Sequence, residues 1–162
     1  LYNIPGRTGI ELATETIVRM YEGIDQVVAV KEATGKLDNT SALAAACDIT
    51  ILSGDDSLTL PIFSAGGSGV ISVLANLLPG EVRGMIDAAA AGDLPGARAR
   101  HLRLFGLFRA MFLETNPIPI KAALAMAGRI RNELRLPLTP LAETHRPTLA
   151  GLLRGFGIEA EA

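Results

Sequence analysis

The stretch QVVAVKEATG, residues 26–35, places Lys31 at the end of a run of β-branched residues. Lysine is almost never fully buried without a partner, so its position after an apolar strand needs a reason. In a low-dielectric protein interior the ammonium form is disfavoured, and the neutral amine can attack a carbonyl carbon to form a Schiff base. The simpler interpretation is that the strand ends at Lys31 and the ammonium reaches water.

Two residues near the start of the chain could assist such chemistry. Tyr2, in YNIPGRTG, lies near the end of a predicted strand and could donate and accept protons as a general acid and base. Arg7 follows in a turn, and its planar guanidinium suits a substrate carboxylate. Both have plainer interpretations, since Tyr2 could simply pack and Arg7 could be a surface arginine.

Further polar residues end two more apolar runs. SGDD, residues 53–56, follows one run, and Ile71 and Ser72 lie in another. If the strands are parallel, their carboxyl ends share one face, which is where α/β folds place their sites. Asp55 and Asp56 could be a paired acid and base, but adjacent residues rarely act on the same substrate group. We therefore expect one of them to cap the following helix.

The elements that must position these residues alternate along the first part of the chain. Strand-like apolar runs cover residues 26–31, 49–54 and 69–73, separated by helical patterns over 11–22, 40–48, 55–67 and 79–92. Asp38 or Asn39 could cap the second helix. Strands apolar on both faces and alternating with helices predict an α/β fold with a parallel, helix-covered sheet.

The strand signal ends at Asp93, and three helical patterns follow over residues 96–114, 118–128 and 145–157. We therefore predict an α/β domain over residues 1–92 and a C-terminal helical region over residues 93–162. The first of these helices is apolar nearly all round, so another part of the chain or a second subunit must cover it. An oligomer is expected.

Composition narrows the function classes. The 162 residues are 49% hydrophobic and 20% charged, with a net charge of −2, and no basic block indicates nucleic acid or a membrane surface. The single cysteine, Cys47, excludes an internal disulfide and is expected to be a small buried thiol in a cytoplasmic protein. Small-molecule chemistry or protein contacts remain.

Several motifs together resemble a known family. YNIPGRTG, VVAVKEATG, LSGDD, GGSGVISV, NPIPIK and LRLPLTP, in this order and at these intervals, are similar to dihydrodipicolinate synthases, members of the pyruvate-dependent class I aldolase superfamily. The resemblance extends over nearly the whole chain. It implies the later part of a TIM (β/α)8 barrel followed by C-terminal helices, so we expect the sequence to begin in the middle of a gene product.

The resemblance also implies roles for individual residues. Lys31 would form the Schiff base with pyruvate, and Tyr2 would transfer protons. The Ile71 backbone would contact pyruvate, Arg7 would hold the carboxylate of L-aspartate 4-semialdehyde, and Gly54 and Asp55 would line the pocket. The family pattern further implies a dimer or tetramer, no cofactor or metal, and a place in lysine and diaminopimelate biosynthesis.

Other interpretations stay open. The same imine could serve a sialic-acid or keto-deoxy sugar acid aldolase, or the chain could be a non-catalytic half-barrel that acts as a binding module. Lys121 is a rival amine, but its predicted helix indicates a structural lysine. His101 and His145 lack the spacing of a metal site. GGSGV precedes its strand, whereas a phosphate loop follows one, so we expect a substrate without phosphate.

Overall fold

Four short strands lie side by side in the computed structural model, which describes residues 1–160. They are β1 (Tyr2–Asn3), β2 (Ala29–Glu32), β3 (Thr50–Ser53) and β4 (Gly69–Val70), and each pairs in parallel with the next along the chain. The predicted α/β fold with a parallel sheet is confirmed. All four carboxyl ends therefore lie at one edge of the sheet.

Helices connect the strands. The chain runs through α1 (Pro5–Thr8) and α2 (Thr14–Gly23) between β1 and β2, through α3 (Leu37–Ala46) between β2 and β3, and through α4 (Thr59–Ser64) before β4. A 3-10 turn, Asp56–Leu58, precedes α4. Neither Asp38 nor Asn39 caps α3, because the helix already begins at Leu37 and both residues fall inside its first turn. That prediction was wrong.

The alternation of side chains along β2 and β3 explains how the sheet is stabilised. Val30 and Ile51 are fully buried, and they belong to a core with Ile17 of α2, Leu43 of α3 and Ile62 of α4. Successive residues of a strand point to opposite faces, so Lys31 and Leu52 point away from this core. The apolar core thus fixes the face on which Lys31 emerges.

Contacts divide the chain into two units. The first contains residues 1–72 and 89–92, and the second contains residues 73–88 and the chain from Asp93 onward. In the part of the second unit that the structure describes there is no strand; its helices are α5 (Pro79–Ala90, with its last residues in the first unit), α6 (Leu94–Ala110), α7 (Ile118–Met126) and α8 (Arg146–Arg154). The domain boundary predicted after residue 92 stays a prediction.

Helix α6 is the long apolar helix of the second unit. Asp93 caps its start by accepting a hydrogen bond from the Gly96 amide at 2.9 Å. Leu104 and Phe108 are buried and α8 packs against this helix, but Leu102 is 65% exposed and Phe105 43% exposed. The unit therefore covers only part of the apolar surface of α6.

Candidate active site

The strand register brings Tyr2 and Lys31 together. They are direct partners across β1 and β2, and the Lys31 Nζ lies 4.1 Å from the centroid of the Tyr2 ring. A cation over the face of an aromatic ring is attracted by the ring quadrupole, so this pairing holds the long lysine side chain against the tyrosine. The two residues predicted to do chemistry, far apart in the chain, thus form one pair.

Lys31 is unusual for a half-buried lysine. Within residues 1–160 its ammonium makes no hydrogen bond and no ion pair with a protein group. Lys36, by contrast, binds the Glu11 carboxylate at 2.7 Å. An amine without a hydrogen-bonding partner is available to a ligand, which is what a nucleophilic lysine requires.

Gly54, directly after β3, lies tightly against β2 and Lys31. Its amide donates to the Glu32 carbonyl at 2.7 Å. A Cβ at this position would lie 2.5 Å from the Ala33 Cβ and 3.2 Å from the Lys31 Cε. Only glycine fits here, because any side chain would displace either the backbone after β2 or the lysine itself.

Asp55 caps the 3-10 turn that follows β3. Its Oδ1 accepts hydrogen bonds from the Ser57 amide and the Ser57 hydroxyl, each at 3.0 Å. The expectation that one of the two aspartates caps the next helix is therefore confirmed. Asp56, its neighbour, is buried, with 2% exposure. A role for Asp55 in lining the pocket stays a prediction.

Ile71 directly follows β4, and Arg7 lies in α1, the helix that follows β1. The Ile71 amide donates to the Ser53 carbonyl at 2.9 Å. The backbone group of Ile71 that a ligand could contact is therefore its carbonyl. Its side chain is half exposed. Arg7 lies in the last turn of α1, is exposed and, among residues 1–160, makes no ion pair. Its guanidinium is free to meet an anion.

Two buried polar residues at the same edge were not predicted as functional candidates. Asn3 and Glu32 are each 1% exposed and are register partners one step beyond Tyr2 and Lys31. The Asn3 Nδ2 donates to a Glu32 oxygen at 3.4 Å. Strand alternation was the available signal, because a residue that directly follows an outward Lys31 must face the covered side.

A surface cluster just outside the site was also missed. Glu11 accepts hydrogen bonds from the Lys36 ammonium at 2.7 Å and from the Asn39 amide at 2.9 Å. The hydrogen bond from Lys36, followed by that from Asn39, lowers the pKa of the Glu11 carboxyl below its usual range. The cluster links the segment after α1 to the start of α3, and no spacing of residues in the sequence predicts it.

The rival groups behave as structural residues. Lys121, in α7, donates to the Glu133 carbonyl. His101 packs between Phe105 and Phe108, with ring centroids 6.0 and 5.9 Å away. Over residues 1–160 no group of three His, Cys, Asp or Glu side chains is arranged to hold a metal ion.

Comparison with known proteins gives the family. The Dihydrodipicolinate synthetase family matches residues 1–155. The chain belongs to this family. The 4-hydroxy-tetrahydrodipicolinate synthase of Pelobacter propionicus is 46% identical over 160 residues, covering 98% of this chain and 55% of that protein. The resemblance seen in the motifs is therefore confirmed.

Solved structures of dihydrodipicolinate synthases share the fold. The Aquifex aeolicus enzyme superposes with a TM-score of 0.96 at 40% identity, covering 99% of this chain and 56% of that chain. The chloride-inhibited Acinetobacter baumannii enzyme, crystallised with pyruvate, gives a TM-score of 0.93 at 39% identity, covering 98% and 55%. The chain is thus part of a TIM barrel followed by helices, as predicted, and spans about half the length of these relatives.

Family membership leaves the individual site residues as predictions. The predicted site residues lie at the carboxyl ends of the four strands or in the segments that follow them, all within the first unit. They are Lys31, Tyr2, Ile71, Arg7, Gly54 and Asp55. That placement agrees with the position of sites in α/β barrels. None of the helices in residues 1–160 combines the length and hydropathy needed to cross a bilayer.

Proposed function

We propose that the site performs the 4-hydroxy-tetrahydrodipicolinate synthase reaction, with Lys31 as the amine that binds pyruvate. The observation that carries the proposal is the pair of an unpartnered Lys31 ammonium and the Tyr2 ring, 4.1 Å from Nζ to centroid. The relatives' names and the pyruvate complex of the Acinetobacter baumannii relative support it. The expected setting is cytoplasmic lysine and diaminopimelate biosynthesis.

The first half of the reaction uses the amine. The neutral Lys31 Nζ attacks the carbonyl carbon of pyruvate, and the carbonyl oxygen leaves as water, which forms the imine. The protonated imine then withdraws electrons from the neighbouring methyl group, and loss of one proton from that methyl gives the enamine. Tyr2, whose ring lies beside the Lys31 Nζ, is the general acid and base that we propose for both proton transfers.

The second half forms the carbon–carbon bond. The enamine carbon attacks the aldehyde carbon of L-aspartate 4-semialdehyde, the aldehyde oxygen takes up a proton, and addition of water to the imine later releases the product from Lys31. Arg7 would hold the carboxylate of the aldehyde substrate with its planar fork. The Ile71 carbonyl would contact bound pyruvate, while Gly54 and Asp55 line the pocket.

The same proposal includes self-association. Leu102 and Phe105 remain exposed on α6, together with Leu94 at 58%. Exposed apolar residues on one helix favour burial against a second copy of the chain. We expect a dimer or tetramer, to be measured by sedimentation.

Borohydride trapping tests the proposed function. The chain is incubated with pyruvate, reduced and digested, and mass spectrometry locates the adduct; we expect it on the peptide that carries Lys31 and not on those of Lys36 or Lys121. Lys31→Met should abolish it, and Lys121→Met, which removes the other half-buried amine, is the matched control. A Lys31→Met chain that still traps pyruvate would contradict the assignment of the nucleophile.

Substrate choice is measured separately. When L-aspartate 4-semialdehyde is added to the unreduced pyruvate imine before borohydride, condensation should lower the amount of pyruvate adduct that is trapped. Arg7→Gln should weaken that decrease without changing the trapping of pyruvate alone. Cleavage of a keto-deoxy sugar acid or of a sialic acid, without condensation, would instead favour the alternative aldolases.

A further inference from the structure

We infer that Asn3 and Glu32 are positioning residues that hold Tyr2 against Lys31. The inference rests on the proposed function for its catalytic meaning, but its structural content is independent of it. Asn3 follows Tyr2 directly and Glu32 follows Lys31 directly, and the two side chains meet on the covered side of the sheet. Neither residue faces the substrate side, so they act through their neighbours.

The pairing of β1 with β2 is short, which gives the side-chain bridge its importance. The ladder contains two residue pairs, Tyr2 with Lys31 and Asn3 with Glu32. Its backbone bonds include those from the Lys31 amide to the Leu1 carbonyl and from the Ala33 amide to the Asn3 carbonyl, each 2.9 Å. With so few ladder bonds, a buried bridge between the two strands contributes a substantial part of their lateral fixation.

Asn3 can adopt only one orientation of its amide group. Its Oδ1 accepts from the Leu12 amide at 3.0 Å, and its Nδ2 donates to the Leu12 carbonyl at 3.1 Å. Turning the amide over would set donor against donor and acceptor against acceptor at Leu12. The second Nδ2 proton must therefore point across the strands towards Glu32.

Glu32 must in turn accept hydrogen bonds on both of its oxygens. Oε1 accepts from the Thr34 amide at 2.7 Å, and Oε2 accepts from the Asn3 Nδ2 at 3.4 Å. A carboxylate satisfies both donors, whereas a glutamine of the same shape presents one acceptor and one donor. The site therefore distinguishes Glu from Gln, although no lysine or arginine of the described chain binds this buried carboxylate.

A change at Asn3 or Glu32 is transmitted to Tyr2 and Lys31, because each of the two residues directly follows one of them in the chain. In a Glu32→Gln variant one of the two carboxylate oxygens becomes an NH2 group. The shorter hydrogen bond, from the Thr34 amide at 2.7 Å, favours the remaining oxygen there, so the NH2 group faces the fixed Asn3 amide and the strands must shift to separate the two donors. Such a shift moves the Tyr2 ring relative to the Lys31 Nζ. Small misplacements of reacting groups lower rates steeply. We therefore expect Glu32→Gln to slow formation of the pyruvate adduct by about tenfold, the effect of about one lost hydrogen bond.

The test follows the position of Lys31 and its reactivity in the same samples. Lysine labelled with ¹³C at Cε gives three signals in this chain, because it contains only Lys31, Lys36 and Lys121. The ring current of Tyr2 should displace the Lys31 signal from the other two, and Tyr2→Leu should abolish the displacement. Borohydride trapping with pyruvate then gives the rate of adduct formation.

The expected result is that Glu32→Gln loses most of the displacement and slows trapping, while Glu22→Gln changes neither. Glu22→Gln is the matched control, since it makes the same chemical change at an exposed position on α2. Asn3→Ala should shift the Lys31 signal as well, and adding Glu32→Gln to it should have little further effect, because the opposing donor is already gone. An unchanged signal and trapping rate in Glu32→Gln would overturn the inference.

Two further outcomes are decisive. If the parent chain traps no pyruvate but Glu32→Gln still moves the Lys31 signal, the positioning role stands and the proposed function of this chain fails. If Glu32→Gln does not fold, Glu32→Asp replaces it: the shorter acid keeps two acceptors but withdraws from Asn3. An intermediate loss of displacement then supports the inference, and no loss contradicts it.

Discussion

Lys31 and Lys121 have the same side chain in two different settings. Lys31 emerges from a parallel strand, lies over the Tyr2 ring and has no hydrogen-bonding partner in the described chain, whereas Lys121 of α7 donates to the Glu133 carbonyl. Lys31 leaves β2 near its carboxyl end, on the face that points away from the apolar core, while the ammonium on α7 binds a backbone carbonyl of the following segment. The difference teaches that the lysine proposed as the nucleophile stands out by its lack of a hydrogen-bonding partner rather than by its burial.

The largest effect on the setting of Lys31 is expected from Gly54→Ala. The new Cβ would meet the Ala33 Cβ at 2.5 Å and the Lys31 Cε at 3.2 Å, so the chain must shift at the point where Lys31 is held. We expect a loss of about 1–3 kcal/mol in the free energy of unfolding and at least about tenfold slower pyruvate trapping. Urea unfolding and borohydride trapping measure the two effects.

Gly80→Ala is the control for that substitution. Gly80 lies in the first turn of α5, and a Cβ there meets no atom within 4 Å. Alanine should leave the free energy of unfolding unchanged or raise it by up to about 1 kcal/mol. Equal trapping rates in Gly54→Ala and Gly80→Ala would show that close contact at Gly54 does not position Lys31.

A smaller effect is expected from Lys121→Met. The variant loses one hydrogen bond to a backbone carbonyl, worth about 0.5–1.5 kcal/mol of unfolding free energy, and keeps the apolar stem. Pyruvate trapping on Lys31 should not change. Arg83→Met is a suitable reference, because its ion pair with Asp87 is 76% and 55% exposed and contributes about 0–1 kcal/mol. Loss of trapping in Lys121→Met would remove the distinction between the two lysines.

The proximity of Tyr2 and Lys31 could be predicted from the sequence, because parallel strands place their carboxyl ends at one edge of the sheet whatever their separation in the chain. That one of Asp55 and Asp56 caps the next helix could be predicted because that contact is local. The bond between Asn3 and Glu32 could not, since register is set by the core residues of several helices and cannot be counted along the chain. The cap of α3 was predicted wrongly because the helix begins before Asp38.

The length of β2 shows the same limit. The β-branched run predicts a strand over residues 26–31, whereas the structure has Ala29–Glu32. Val28 is 65% exposed, and the Val27 amide bonds back to the Ile24 carbonyl in a turn. Propensity favoured an earlier start, but the ladder begins only where β3 offers partners, at Ala29 with Thr50. The strand's carboxyl end, which positions the site, was predicted within one residue.

The smallest expected effect concerns His101 of α6 and the pH dependence of the free energy of unfolding. Burial lowers the pKa of His101 below 6.5, and its Nδ1 lacks a hydrogen-bonding partner in the described chain. The unfolded chain then binds a proton at higher pH than the folded chain, so stability is full above about pH 6.5 and falls as the pH drops below it. The ring between Phe105 and Phe108 thus favours the neutral form.

Urea unfolding of the parent chain and of His101→Phe at about pH 7.5 and about pH 5.5, on either side of the ordinary histidine pKa, measures this effect. We expect the parent to lose more stability between the two values than His101→Phe does, because the carboxyl groups contribute equally to both. A His101→Phe chain with the parent's full pH dependence would show that the packed ring does not resist protonation.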